Sequence, residues 1–164
     1  MLISKYPYET LTRTDTPNGR RYLTPSGERL PSVTTILDKT KSAESKAALQ
    51  NWRKRVGEQQ AQEITTEAAG RGTRMHKYLE NYVESGDLGQ PGTNPYSQQS
   101  HKMATVIVET YMKEHLHETW GSEVALYYPG LYAGTCDLTG SWMGRPAILD
   151  FKQTNKPKKR EWID

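Results

Sequence analysis

Hydrophobic and polar positions divide this chain into three stretches of different period. Between residues 6 and 37 the apolar positions are sparse and interleaved with Thr and Tyr. "YETLTRTD" and "RRYLTP" flank "TPNGR", whose Asn18-Gly19 is a hairpin signal, and "TPSGERLPSVTTIL" adds a glycine turn and a β-branched run. From about residue 43 the chain becomes rich in Ala, Gln, Glu, Lys and Arg, with Ala48, Trp52 and Val56 at helical spacing. Gly57 and Gly70 are expected to break this segment. "GTRMHKYLENYVESG" predicts a further helix, with Thr73 as its N-cap and Met75, Leu79, Tyr82 and Val83 on one face. The Gly/Pro-rich "GDLGQPGTNPYSQQ" reads as a loop. "HKMATVIVETYMKEHL" predicts a helix with Met103, Val106, Ile107, Tyr111 and Leu116 on its apolar side.

The third stretch alternates with a period of two. "SEVALYY", "YAGTCDLTGSW" and "RPAILDFK" predict three strands, with turns at Pro129-Gly130 and Met143-Gly144. Helices followed by a meander of strands predict an α/β fold: a small mixed β-sheet flanked by helices, preceded by an N-terminal β-hairpin arm. The length of 164 residues fits one domain. It divides into the β arm (1–40), a helical region (41–120) and core strands with a basic tail (121–164).

Composition adds limits. Hydrophobic residues make up 34% of the chain, so the core is thin, and either much surface is functional or part of the fold comes from elsewhere. The net charge of +3 is small, but its distribution is uneven. Lys152, Lys156, Lys158, Lys159 and Arg160 have no acid among them, and Arg53, Lys54 and Arg55 form a second cluster. A solvated face and a phosphate-binding surface are both open for each. Cys136 is the single cysteine, which excludes an internal disulfide and a thiolate metal cage. No apolar run reaches the ~20 residues of a membrane span. "MLISKYPYET" has the character of neither a signal nor a transit peptide, so a soluble cytoplasmic protein is expected.

Candidate chemistry lies in the last two strands. Alternation puts Ile148, Asp150 and Lys152 on one face, with Ala147, Leu149 and Phe151 on the other. Thr135, Asp137 and Thr139 likewise share a face. If the strands pair through Met143-Gly144, Asp137 approaches Asp150. Two close carboxylates repel, and a divalent cation relieves the repulsion. An all-oxygen site of this kind suits Mg²⁺ or Mn²⁺, with Lys152 beside it. The acid-x-Lys triplet alone is weak, since Glu44-Ser45-Lys46 has the same spacing at the start of a predicted helix. An apolar strand, a preceding Gly-x-x-Asp and a following basic stretch strengthen the case for 150–152. His76, with Glu80 four residues on, could face the sheet and would favour Mn²⁺. Glu123 could line the same site or pair with a lysine. His101, His115 and His117 suggest no chemistry. Dinucleotide, P-loop, nucleophile-elbow and zinc patterns are missing from the sequence.

Taken in order, "GTRMHKYLE", "SEVALYY" and "YAGTCDLTGSW…AILDFKQTNK" resemble the RecB-type branch of the PD-(D/E)XK nucleases. Within that branch, "GRRYLTPSGERLPSVTTIL" and "WRKRVG" resemble phage exonucleases related to the mitochondrial genome maintenance exonuclease. The resemblance covers most of the chain. It implies a restriction-endonuclease-like core in which His76, Asp137, Asp150 and the Phe151 carbonyl bind metal. Asp137, Asp150, Lys152 and the acidic Glu123 would then be the catalytic set.

The implied activity is metal-dependent hydrolysis of DNA phosphodiesters from a free or single-stranded end, in a bacterial cytoplasm or a phage-infected host. Lys152 would orient the attacking water or stabilise developing charge. Arg53, Arg55, Arg71, Lys156, Lys158, Lys159 and Arg160 would follow the phosphates, and Tyr78, Tyr82, Trp52 and Trp162 are candidates for base stacking. RecB-type nucleases continue beyond Asp-x-Lys into a helix with a Gln-x-x-x-Tyr motif, whereas this sequence ends "KKREWID". The expectation is therefore a truncated chain that cleaves poorly alone and either self-associates through an uncovered sheet face or swaps elements with a second copy. The alternative reading is a DNA-binding module without catalysis, needing a partner or a missing segment.

Overall fold

The computed structural model describes residues 2–154. The N-terminal arm is a three-stranded antiparallel sheet of β1 (Thr12–Thr16), β2 (Gly19–Leu23) and β3 (Arg29–Pro31). Thr16 pairs with Gly19, so the hairpin turn is Pro17-Asn18 and the glycine follows it. Gly19 has φ +109, and a β-carbon there would run into the Thr35 side chain, so both backbone and space demand glycine.

The β-branched run after Pro31 departs from the β-rich expectation. It forms helix α1 (Val33–Lys39), because Ser32 caps it by accepting from the Thr35 N–H at 3.0 Å. A satisfied N-cap outweighs the modest helix penalty of Val and Thr.

Helix α2 (Ala43–Val56) contains no buried residue. It ends at Gly57, φ +86, which also opens α3 (Glu58–Ser85). The break at Gly57 is therefore as expected, but Gly70 interrupts nothing: α3 runs unbroken through it. Thr73 is mid-helix, bonded to the Ala69 carbonyl, and caps nothing. Met75, Leu79 and Val83 bury the expected face of α3.

Helix α4 (Pro95–Ile107) starts inside the predicted loop. Asn94 caps it, accepting from the Ser97 N–H at 2.8 Å, and Pro95 occupies the first turn, where its missing N–H has no consequence. A π-helical turn (Val108–Met112) and one further helical turn (Lys113–His115) follow. The buried positions are Ser97, Ser100, Ala104, Val108 and Met112, while Val106 and Tyr111 are 51% and 52% exposed. The small Ser100 and Ala104 permit close packing on α3, and the π-turn shifts the phase that a 3.6-residue period predicts.

The second sheet is the meander β4 (Leu116–Tyr128), β5 (Tyr132–Trp142) and β6 (Arg145–Leu149), antiparallel throughout. Strand β4 begins well before the predicted Ser122 and carries two register shifts, at Leu116/Glu118 and Thr119/Gly121. Met143 (φ 51) and Gly144 (φ 77) form the expected two-residue turn, both residues left-handed as such hairpins require. Parallel geometry enters through two isolated bridges, Leu2 to Thr119 and Ser32 to Ala133.

The main core joins Met75, Leu79, Val83, Ala104, Val108 and Met112 to Leu138 and Phe151. A small second cluster of Tyr22, Leu30 and Ala133 seats the arm on β5. Tyr8 and Tyr22 reinforce it through hydroxyl contacts to Thr139 (2.6 Å) and Thr135 (3.0 Å). The α/β organisation with an N-terminal hairpin is as expected. Among the described residues, no helix is long and apolar enough to cross a membrane.

Candidate metal centre

Three elements converge at the middle of β5. Helix α3 supplies His76, β4 supplies Glu123 and β5 supplies Asp137; each offers a ligand atom, and these atoms all lie within 4.8 Å of one another. Glu123 stands between Ser122 and Val124, which pair with Leu138 and Cys136, so it lies across the ladder from Asp137. Its backbone is left-handed, φ 50. For a glutamate that conformation is strained by about 1–3 kcal/mol.

The β5–β6 ladder ends at the pair Leu138–Leu149. Continued pairing would have set Asp137 opposite Asp150. Instead the Phe151 N–H donates to Asp137 Oδ2 at 2.5 Å. His76 Nε2 lies 2.8 Å from the Phe151 carbonyl oxygen, and His76 Nδ1 lies 3.3 Å from Asp137 Oδ1. The Phe151 backbone is thus held at its N–H by Asp137 and at its carbonyl by His76, and its ring anchors the segment in the core.

The electrostatics follow from this geometry. The Asp137 hydrogen bond raises the His76 pKa, and burial opposes it without prevailing. Burial pushes the Asp137 carboxyl up, but the hydrogen bonds from His76 and Phe151 outweigh it and hold the group below its usual value. Glu123 is exposed, yet the desolvation it does suffer and the nearby Asp137 charge raise its carboxyl. Two acids and an imidazole at this separation, with a backbone carbonyl alongside, match a site for a hard or borderline divalent cation.

Asp150 and Lys152 flank Phe151 on the solvent side. Lys152 Nζ donates to Asp150 Oδ1 at 2.7 Å, with side chains 61% and 52% exposed. Asp150 stands outside the three-residue cluster, because the chain leaves the sheet just before it. The structure therefore brings together His76, Asp137, Glu123 and Phe151, and sets Asp150 and Lys152 beside them as a separate ion pair.

The expected phosphate-contacting residues divide differently. Arg55 is exposed. Arg53 is paired with Glu58, its Nε 3.0 Å from the carboxylate. Arg71 has a side chain only 12% exposed and turns inward to Glu67 at 3.6 Å and to Gln153. Lys156, Lys158, Lys159, Arg160 and Trp162 lie outside the described residues.

The stacking candidates are otherwise engaged. Tyr78 is half-buried with its hydroxyl 2.7 Å from Ser97 Oγ, and Tyr82 packs against the core. Trp52 is half-buried. The exposed ring pair is Tyr128–Tyr132, at the tip of the β4–β5 hairpin with centroids 6.0 Å apart. A cavity of about 530 Å³ runs from there to Asp150 and Lys152, lined also by Arg20, Val33, Leu37 and Ile148.

Sequence reasoning missed Gln153. Its Oε1 accepts from Arg71 Nε at 2.5 Å, and its Nε2 donates to the Ala68 carbonyl of α3. The available signal was Gly70-Arg71-Gly72 inside an otherwise helical stretch: Gly70 reads as a break, whereas the helix continues and Gln153 lies over Gly72.

No family model matches the chain. Two relatives do, both named mitochondrial genome maintenance exonuclease 1. The Mus musculus protein is 27% identical over 135 residues, covering 79% of this chain and 38% of the relative. The Xenopus tropicalis protein is 28% identical over 138 residues, covering 79% of this chain and 37% of the relative. The chain spans less than two-fifths of the length of either, and over that span it is distantly similar to nucleases.

Proposed function

We propose that this chain carries the catalytic centre of a metal-dependent DNA exonuclease of PD-(D/E)XK type. The observation that carries the reading is the meeting of His76, Glu123 and Asp137 within 4.8 Å, beside the Phe151 carbonyl and the Asp150-x-Lys152 pair. Distant similarity to two proteins named as exonucleases supports the same class. Three oxygen donors and one imidazole nitrogen fit Mn²⁺ well and accommodate Mg²⁺. His76, Glu123, Asp137 and the Phe151 carbonyl would hold the ion. When bound, it supplies Lewis acidity toward a phosphodiester oxygen and an attacking water.

The chain's own residues do the rest. Asp137 accepts from the Phe151 N–H and so ties the Phe151 backbone beside the centre. Asp150 holds the Lys152 ammonium at the mouth of the centre, where it meets the negative charge that develops on the phosphate. Arg55 and the basic residues from Lys156 onward give the salt-sensitive grip on the DNA backbone.

Incubation with end-labelled linear DNA and covalently closed single-stranded circles, with Mn²⁺ and with chelator, tests the reading. Linear DNA is degraded only with metal and circles are spared. DNA binding with no metal-dependent cleavage would instead favour the non-catalytic binding module.

A further inference from the structure

The interior of α3 contains an anomaly that the metal centre does not by itself explain. Gly70 and Gly72 each weaken a helix by about 1 kcal/mol relative to alanine, yet they sit mid-helix, just before a residue of the centre. Ala68, Gly72 and His76 are spaced four apart, so they form one half-buried stripe along α3. The segment after β6 lies on this stripe. Phe151 meets His76 through its carbonyl, and Gln153 meets Ala68 and Arg71 through both ends of its amide. A β-carbon at Gly72 would sit in ordinary contact, 3.4 Å from Gln153 Nε2, so the amide lies directly over the helix at this position. The Ala68 carbonyl has two lone pairs and can serve this amide as well as its own helix. Arg71 is itself anchored, by Glu67 at 3.6 Å and by the Ser100 hydroxyl, which donates to its carbonyl at 3.3 Å.

We propose that Gln153 is a positioning residue: its amide brackets residues 151–153 onto the Ala68–Gly72–His76 stripe and holds the Phe151 carbonyl at the metal centre. The inference rests on the metal-binding reading above. Its physical basis is a difference between two kinds of tie. The hydrogen bond between His76 and the Phe151 carbonyl uses two atoms that a cation would take as ligands, whereas the Phe151 N–H bond to Asp137 Oδ2 leaves Oδ1 for the ion and reaches β5, not α3. The bond from the imidazole to the carbonyl must be given up when both turn to an ion. The Gln153 bonds use none of those atoms, so they persist in the loaded site. The β6 ladder cannot substitute, because it ends at Leu149. Of the hydrogen bonds between residues 150–154 and α3 described above, the Gln153 pair therefore survives metal binding.

Gln153→Met keeps the length of the side chain and removes both hydrogen bonds. Gln153→Glu keeps the acceptor for Arg71 but sets a carboxylate against the Ala68 carbonyl. Calorimetric titration with Mn²⁺ alone, on the full chain, is the test. Groups that orient metal ligands are typically worth 10–100-fold in affinity, so the Met variant is expected to lose about tenfold or more, with Glu intermediate. Thermal unfolding of the metal-free variants moves little, which separates positioning from general stability. Equal Mn²⁺ affinity in wild type and Met variant overturns the bracket and leaves the metal reading standing. A wild type that binds no Mn²⁺ overturns both.

Discussion

Asp137 accepts the Phe151 N–H at 2.5 Å while its other oxygen lies 3.3 Å from His76 Nδ1, so one carboxylate orders both a backbone peptide and an imidazole. Asp137→Asn keeps an acceptor for Phe151 but removes the anionic ligand. Its Mn²⁺ affinity should fall by at least the 10–100-fold typical of changes one shell further out. The metal-free protein should lose about 1 kcal/mol or less, because the ion pair is partly solvated. Paired calorimetry and thermal unfolding measure the two; unchanged metal affinity would remove Asp137 from the centre.

The same pair sets a pH window for the metal-free protein. The His76 pKa is raised by Asp137, so its contribution is fully present below the unfolded value of 6.5 and is lost as pH rises through the folded one. The Asp137 pKa is lowered, so its contribution is present above 3.8 and is lost as pH falls through its folded value. Stability from the pair should therefore peak between these limits. His76→Gln should flatten the alkaline side of a plot of unfolding midpoint against pH. An unaltered alkaline limb would mean that the ion pair contributes nothing in solution.

Asp150 and Lys152 should separate from the cluster in their effects. Because Asp150 lies outside the three converging residues, Asp150→Asn should weaken Mn²⁺ binding less than Asp137→Asn does. Lys152→Ala should leave metal affinity intact or slightly raised, since a nearby cation opposes another. Its cleavage rate should drop by about 10²–10³-fold if the ammonium meets charge in the transition state. Wild-type turnover in Lys152→Ala would make the residue part of the ordinary surface.

Glu123 offers a stability test. Its φ of 50 suits asparagine better than glutamate, and its charge faces Asp137. Glu123→Asn should raise the unfolding free energy of the metal-free protein by about 1 kcal/mol or less, and weaken Mn²⁺ binding. Glu123→Ala removes the charge but keeps the backbone strain, so it should gain less. If Ala matches Asn, the left-handed backbone carries no penalty worth relieving.

Much of this was legible because it is local. The Met143-Gly144 turn announces itself in two residues and fixes the β5–β6 register. The spacing of Met75, Leu79 and Val83 gives the buried face of α3, and the helical position of His76 follows. What was not legible depends on contacts far along the chain or on small local balances. A capped Ser32 turns a β-branched run into α1. Gly70 reads as a break although α3 runs through it, and nothing local shows that Gln153, 82 residues beyond Arg71, lies against this part of the helix. The alternation that paired Asp137 with Asp150 is sound within the ladder, but it could not show that the ladder stops one pair early.

The hydroxyl contacts Tyr8–Thr139 and Tyr22–Thr135 join residues 131 and 113 positions apart. The β4–β6 meander, by contrast, closes through very short loops and forms quickly once made. The arm therefore emerges from the ribosome long before its docking surface exists. Until β5 is synthesised, Tyr22 and Leu30 have no Ala133 to cover them, and the edge of the arm sheet is open to wrong partners. Order of synthesis and order of assembly run in opposite directions in this chain, and the N-terminal strands are the last to find their place.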